Sequence, residues 1–137
     1  MLKKTFILLA SFYLFSGNFV WATMFFPMPF EKQVEEANSA VEAQLSASKV
    51  FKTNSGMIMT EYRFDVLESY NFSNDDLDKN QLVLTMPGGT YEGVTSMIDG
   101  APQFKQGEKT FLLIKKIESK IYLSNFTLGK FKIQEHE

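Results

Sequence analysis

The sequence contains no cysteine and a single histidine, His136, which lies one residue from the C-terminus. Without cysteine the chain cannot form a disulfide, a thiolate zinc site or a cysteine nucleophile. A histidine beside a chain end is not held in place as a base, because terminal residues fray. Nucleophilic triads and most transition-metal sites therefore lack their residues. We expect a protein that is not an enzyme and that holds no metal or cofactor.

A basic surface of the kind that binds nucleic acid is also missing. Arg63 is the only arginine, and the lysines are scattered along the chain. Removal of residues 1–22 takes away Lys3 and Lys4, which leaves twelve basic residues of the fourteen against sixteen acidic ones and a net charge of −4. A chain of that charge repels a phosphate backbone. We therefore expect no nucleic-acid partner.

The first 22 residues have the pattern of a secretory signal peptide. Lys3 and Lys4 make a short basic start, residues 5–15 are apolar, and residues 20–22 (VWA) place small or modest side chains where a signal peptidase reads. The apolar stretch is too short to span a bilayer comfortably. The pattern predicts export to the periplasm or the extracellular space.

Cleavage after Ala22 leaves one domain, residues 23–137. The alternative is an uncleaved leader that keeps the protein at the membrane, since apolar residues resume at 24–26. Gly17 and Pro27 interrupt any continuous helix across this region, which favours cleavage. A membrane contact is expected only if the leader stays attached.

Alternating apolar and polar residues predict a mostly β domain after one short helix. Apolar residues recur at helical spacing from Phe30, with Asn38 able to close the helix. From residue 41 to 51 the period changes to two, and residues 58–66 alternate most clearly. The short loop between these two runs contains asparagine and glycine, which predicts an antiparallel hairpin. The other predicted strands cover residues 81–86, 90–98, 110–117, 120–126 and 128–133.

The alternation also predicts which side chains are buried. In the first strand the inward set is Val41, Ala43, Leu45, Ala47 and Phe51; in the second it is Tyr62, Phe64 and Val66, with Glu61, Arg63 and Asp65 facing water. One helix and about six strands, without helix–strand alternation, favour a closed sheet over a sandwich. The expected fold class is mainly β, a small antiparallel β-barrel with one short N-terminal helix.

Three local patterns resemble those of catalytic or ligand-binding sites. Glu61 and Asp65 share a strand face with Arg63, which is explained by a solvated face with cross-strand partners. Residues 76–87 begin like an EF-hand but lack its glycine at position six and its glutamate at position twelve, which favours a solvated loop. Gly88-Gly89 lacks the lysine and following helix of a phosphate-binding loop, so a tight reversal is the better interpretation.

Residues 100–108 (GAPQFKQGE) form a loop that we name the GAPQF loop. Phe104 is its one large apolar residue, and we expect its ring to pack into the core. Gly107 is expected to form the turn that leads into the next strand. The loop is therefore predicted to stabilise the fold rather than to carry chemistry.

The motifs 87–89 (PGG), 100–108 and 129–131 (GKF), in this order, resemble a family of small secreted bacterial proteins whose function is not established. The resemblance covers nearly the whole mature chain and implies a Gram-negative bacterium as the source. The order of a strand, a hairpin, a loop with Gly-Glu and a further strand also resembles netrin-like domains, the OB-type barrels of the tissue inhibitors of metalloproteinases. That likeness implies that the fold is a small antiparallel OB-like β-barrel with one short N-terminal helix, and it implies a protease-inhibitor-like role. In those inhibitors a disulfide-tethered N-terminal cysteine chelates the protease zinc, and no such residue can be carried over to this chain.

These observations predict an exported, non-catalytic binding module for another exported protein, and the resemblance to netrin-like inhibitors implies a metalloprotease as that partner. The alternative is a structural or assembly component of the cell envelope. The candidate partner-binding residues follow the cleavage site: Thr23, Met24, Phe25, Phe26 and Met28. The alternative interpretation of this apolar segment is a strap that packs on the barrel, which we favour for Phe30. Exposure of these side chains distinguishes a binding surface from core.

The mature protein is expected to begin at Thr23, because residues 20–22 match the positions that a signal peptidase reads. Intact-mass measurement of periplasmic material tests this start. A dominant species that retains residues 1–22 would contradict export with cleavage and would favour the membrane-retained form.

Overall fold

The computed structural model describes residues 28–72, 77 and 80–133. The signal-peptide prediction, the mature start at Thr23 and His136 lie outside these residues, as does most of the polar loop after residue 72. Among the helices that are described, none is long and apolar enough to cross a membrane.

The described chain forms one short α-helix, eight strands and a 3-10 helix. In chain order they are α1 Phe30–Glu36, β1 Ser39–Lys52, β2 Ile58–Tyr70, β3 Gln81–Pro87, β4 Gly89–Tyr91, β5 Val94–Ser96, β6 Lys109–Ile117, β7 Lys120–Leu123, the 3-10 helix Phe126–Gly129 and β8 Lys130–Lys132. The helix, the β1–β2 hairpin and β3 lie where the residue patterns predict them.

The main part of the fold is one antiparallel sheet. Its strand order is β3-β2-β1-β6-β7, and β8 pairs with β6 beside β7. β4 and β5 form a separate two-stranded hairpin. The prediction of a mainly antiparallel β fold is confirmed. In the part of the chain that is described, no strand pairing joins β3 to β7, so the sheet is not closed into a barrel.

The core lies on one face of this curled sheet. Its side chains alternate along four strands and are almost fully buried: Val41, Ala43, Leu45, Phe64, Val66, Leu82, Leu84, Leu112 and Ile114. Ile121 and Leu123 of β7 pack against the same cluster as the β3 leucines. Burial of each large apolar side chain stabilises the fold by roughly 1.5–3 kcal/mol before entropy is subtracted. In the absence of disulfides, this cluster is the main source of stability.

The burial pattern of β2 agrees with its sequence. Phe64 and Val66 are buried, while Arg63 and Asp65 are exposed. The predicted register is therefore correct, since a slip by one residue would have exchanged the two faces. Tyr62, which was expected inside, and Glu61, which was expected to face water, are both half-buried.

The burial pattern of β1 departs from its sequence at Ala47, which was expected inside and is exposed. The register between β1 and β2 shifts between Leu45 and Ala47. Such a shift places an extra residue in one strand and reverses the side-chain alternation beyond it. A strict period of two therefore assigns the wrong face after Leu45.

Two predicted strands of the C-terminal half are also wrong. Residues 90–98 do not form one strand, because the chain reverses at Glu92 and Gly93 to make the β4–β5 hairpin. The strand predicted for residues 120–126 ends at Leu123. Asn125 and Phe126 both have positive φ, which a continuing strand cannot accommodate.

Asn38 has a different role from the predicted helix closure. Helix α1 ends at Glu36, and the backbone N–H of Ala37 bonds the carbonyl of Gln33. The Asn38 amide instead donates to the Lys116 carbonyl at 2.9 Å and accepts from the Lys116 backbone N–H at 2.9 Å. It thus extends the β1–β6 ladder at the start of β1.

The GAPQF loop is tied to the core through an aromatic ring and an ion pair. The half-buried ring of Phe104 meets Tyr62 at 4.9 Å and Phe64 at 5.0 Å between centroids. Lys130 Nζ lies 4.7 Å from the centre of the Phe104 ring and bonds Glu108 Oε2 at 3.0 Å. It also donates to the Gln103 carbonyl. These contacts support the expectation that the loop stabilises the fold.

The Glu108 carboxylate is held in its charged form. Burial by itself would raise its pKa, but the Lys105 backbone N–H and the Lys130 ammonium outweigh that effect, and the pKa lies below its ordinary value of 4.5. The ion pair is mostly buried, with side-chain exposures of 14% and 13%. A charge-assisted hydrogen bond in such surroundings is worth more than one at the surface.

We expect Glu108→Gln to lower the free energy of unfolding by about 1–2 kcal/mol at pH 7. The native carboxyl has a lowered pKa, so its stabilising effect is present above 4.5 and is lost as the pH falls through the native pKa. Urea unfolding of both proteins between pH 7 and pH 3 should show the difference shrinking towards acid. Glu35→Gln, on the exposed side of α1, is the matched control. A loss that is constant across this range would contradict the assignment.

Candidate functional site

Of the candidate binding residues, the structure describes only Met28. Thr23, Met24, Phe25 and Phe26 lie outside the described residues. Met28 is half-buried, its carbonyl accepts a bond from Gln33 Nε2 at 2.6 Å, and its sulfur lies 3.8 Å from Asn125 Nδ2. Met28 is therefore attached to the fold between α1 and the 3-10 helix. Any surface formed by the preceding residues begins at that point.

Phe30 only partly fits its predicted role as a residue packed on the sheet. Its ring meets the edge of Phe131 at 5.4 Å between centroids, but 51% of the residue is exposed. It packs at the surface of β8 rather than in the core cluster.

The Glu61, Arg63 and Asp65 side chains are arranged as a solvated face. Arg63 donates to Glu61 Oε1 from Nη2 at 2.8 Å and from Nε at 3.0 Å. Asp65 accepts from Gln81 Nε2 on β3 at 2.8 Å. Each carboxylate thus has its own hydrogen-bond partner, and the pair does not converge on a shared reacting position.

The strongest candidate site is a cleft between the β4–β5 hairpin and the GAPQF loop, which we name the hairpin cleft. Its volume is about 280 Å³. It is lined by Tyr62, Pro87, Gly88, Gly89, Thr90, Thr95, Ser96, Met97, Ile98, Ala101, Pro102 and Gln103. The cleft is near the lower limit of small-molecule sites, which fits one or two side chains of a partner better than a cofactor.

Two glycines allow the β4–β5 hairpin to pack closely against the end of the β1–β2 hairpin. The Gly88 N–H donates to the Ile58 carbonyl at 2.9 Å, and Thr60 Oγ1 donates to the Gly88 carbonyl at 2.7 Å. A Cβ atom at Gly89 would lie 2.6 Å from Thr60 Oγ1 and 2.9 Å from Val50 Cγ1. Both glycines have positive φ, in agreement with the predicted tight reversal. Gly89 is therefore required for close packing as well as for its backbone conformation.

Hydrogen bonds support both walls of the cleft. The Ala101 N–H donates to the Ile98 carbonyl at 3.1 Å, which makes a turn between the hairpin and the GAPQF loop. Thr127 of the 3-10 helix donates to the Gly100 carbonyl and so holds the start of the GAPQF loop. Thr90 and Thr95 bond through their hydroxyls at 2.9 Å and tie together the two strands of the hairpin.

Two exposed apolar residues lie at the rim of the cleft. Met97 is 84% exposed and Ile98 42%. Among the described residues that line the cleft there is no Asp, Glu, His, Lys or Arg side chain. The available contacts are apolar surface, the hydroxyls of tyrosine, threonine and serine, the Gln103 amide and backbone groups, which suit the binding of an uncharged side chain.

Sequence reasoning missed this site because it predicts one strand over residues 90–98. The available signal is the apolar pair Met97-Ile98 immediately before the Asp99-Gly100 turn. Two adjacent apolar residues break the period of two that a half-buried strand requires.

The comparisons with known proteins identify no relative of this chain: no family model, no curated protein and no solved structure matches it. Arguments about function therefore rest on the residues and their geometry.

Glycine substitutions test whether the hairpin packs closely against the β1–β2 hairpin at Gly89. Gly89 and Gly93 both have positive φ, but a Cβ atom meets close neighbours only at Gly89. We expect Gly93→Ala to cost about 1–2 kcal/mol of unfolding free energy from backbone strain alone. Gly89→Ala should cost about 2–4 kcal/mol, because the clash with Thr60 and Val50 is added. Urea unfolding of both variants measures the difference. Equal losses of unfolding free energy would contradict close packing at Gly89.

Proposed function

We propose that this protein is an exported, non-catalytic binding module for another exported protein and that the hairpin cleft is its contact surface. The observation that carries the proposal is the apolar rim, above all Met97, of which 84% is exposed. Exposed apolar side chains around a formed cleft are typical of sites that are covered by a partner. The proposed location is the periplasm or the extracellular space.

Methionine suits such a role. Its unbranched thioether side chain adapts to different partner surfaces, and it is common at binding sites that accept an apolar anchor. Tyr62 and Pro102 line the cleft beside it. An apolar side chain of the partner that enters between them would lose contact with water while the rim covers its edges.

The fold suits loop-based binding. We propose that the sheet corresponds to an OB-like barrel that stays partly open between β3 and β7. Support for this comes from Leu82, Leu84 and Leu123, which pack in one core cluster although they belong to the two outer strands. In barrels of this type the loops at one end bind the partner, and the hairpin cleft is formed by such connections.

In its most specific form, the proposal assigns a protease-inhibitor-like role to this protein, with a metalloprotease as the partner. It is supported by the resemblance to netrin-like domains. Thr23 and the apolar residues after it would add to the surface if they reach the partner, and Met28 fixes where that segment joins the fold. Without a cysteine tether, ordering this segment costs conformational entropy on binding.

A photo-crosslinking amino acid at position 97 tests the proposal in the native envelope. We expect a discrete covalent adduct from position 97 and none from position 117, where Ile117 is also exposed but lies at the end of β6. Identification of the adduct then shows whether the partner is a metalloprotease, and inhibition assays with the purified protease follow.

Once the partner is identified, Met97→Asp should weaken its binding at least tenfold, since the substitution places a charge in an apolar contact. Ile117→Asp should leave affinity within about twofold and serves as the control. Equal crosslinking from positions 97 and 117, or unchanged affinity of Met97→Asp, would refute the cleft as the contact surface. A stable adduct with a wall or membrane scaffold would favour the envelope-component alternative.

A further inference from the structure

A second cleft lies between the GAPQF loop and β8, and we name it the lysine cleft. Its volume is about 540 Å³, and it is lined by residues 103 and 105–108 of the loop and by Lys130 and Lys132 of β8. Three lysines and one glutamate give this lining a local charge of +2, although the whole chain has a net charge of −2. The fold thus brings together lysines that are scattered in the sequence.

Glu108 is the one acidic residue among the described residues that line the lysine cleft, and its charge is already compensated. Its Oε2 atom accepts a hydrogen bond from Lys130 Nζ and another from the Lys105 backbone N–H, both at 3.0 Å. Lys130 also donates to the Gln103 carbonyl. A lysine ammonium has three N–H donors, and no described group accepts the third. Lys130 therefore stabilises the fold and still has a donor for a ligand.

The ammonium groups of Lys105 and Lys132 have no such structural partner. Both residues are exposed, and in the part of the chain that is described neither ammonium group makes a hydrogen bond or an ion pair. The Lys132 charge helps to lower the pKa of Glu108, so it lies close to the ion pair. Side chains two residues apart on a strand lie on the same face, which brings Lys132 beside Lys130. The lysine cleft therefore contains two positive charges that are not compensated.

The backbone on which Lys105 lies is held in place by hydrogen bonds. The Glu108 N–H donates to the Lys105 carbonyl at 3.0 Å and closes a turn, and the Gly107 N–H donates to the Leu45 carbonyl at 3.0 Å. Gln44 Nε2 donates to the Gly107 carbonyl at 2.8 Å. A site whose backbone is fixed before binding loses less conformational entropy when a ligand binds.

We propose that the lysine cleft binds a phosphate monoester, with the ammonium groups of Lys105, Lys130 and Lys132 around the phosphate oxygens. A phosphate monoester has a charge of about −1.5 to −2 at pH 7 and three acceptor oxygens. This charge matches the local charge of the lining, and the three oxygens match the three ammonium groups. Lysine binds phosphate as a point charge, whereas a carboxylate is best matched by the planar fork of arginine, and no arginine lines the cleft.

The size of the lysine cleft favours a small molecule over a nucleic acid. Small-molecule sites commonly have volumes of about 300–1,000 Å³, so the phosphate and the group that carries it both fit. A phosphodiester backbone would extend beyond the cleft along a chain of negative net charge, which repels it. The lysine cleft shares only Gln103 with the hairpin cleft, so this inference does not rest on the proposed function.

Titration calorimetry of the purified protein with glycerol 3-phosphate tests the proposal at about 0.15 M ionic strength, where long-range attraction is screened. We expect one saturable site with a dissociation constant below about 1 mM. Lys105→Gln and Lys132→Gln should each weaken binding by about fivefold or more, since each removes a charge-assisted hydrogen bond. Lys120→Gln, on exposed β7 outside the cleft, is the matched control and should leave affinity within about twofold. Urea unfolding should be unchanged in all three variants, because these side chains are exposed.

Vesicles that contain phosphatidic acid, whose headgroup is also a phosphate monoester, distinguish the two sources of this chemistry. Binding of glycerol 3-phosphate supports a soluble ester. Sedimentation with these vesicles but not with phosphatidylcholine vesicles, reduced by Lys105→Gln and Lys132→Gln, supports a lipid headgroup. The proposal is overturned if neither probe binds, if Lys120→Gln weakens binding as much as the two cleft variants do, or if succinate, a dicarboxylate, binds as tightly as glycerol 3-phosphate.

Discussion

The register shift in β1 after Leu45 is the constraint on which the other features depend. Before the shift, β1 pairs with both β2 and β6; beyond it, β1 pairs with β2 alone. The backbone at the shift is held by the GAPQF loop, since Leu45 exchanges backbone bonds with Gly107 and Glu108 at 3.0 and 3.2 Å, and Gln106 Nε2 donates to the Ser46 carbonyl at 2.5 Å. A register shift would otherwise leave these groups unpaired.

The register shift divides β1 into two parts. The first part completes the core with β6, and the second part forms with β2 the surface on which the β4–β5 hairpin packs. The GAPQF loop that holds the shifted backbone also forms the opposite wall of the hairpin cleft. Stability and site geometry thus share Phe104, Lys130 and Glu108, because these residues attach the loop to the core.

Sequence patterns predicted the parts of the fold that are long enough to show a period. β1, β2 and β3 have seven or more residues, and the alternation of Phe64 and Val66 with Arg63 and Asp65 locates the core face correctly. β4, β5 and β8 have three residues each, too few to show a period. Ala47 was misassigned because a register shift depends on the GAPQF loop, which is distant in sequence. The rim of the cleft was missed because Met97 and Ile98 have the composition of core residues.

The distribution of charge sets the proposed contact surface apart from the rest of the chain. Residues 81–98 contain a single charged residue, Glu92, at the tip of the hairpin turn. This stretch supplies most of the lining of the hairpin cleft, and its buried large apolar residues, Leu82, Leu84 and Met86, all belong to β3. A small protein without disulfides gains solubility from surface charge, and an uncharged surface stretch offers no such gain. The lack of charge around the cleft therefore supports the proposal that another protein covers it.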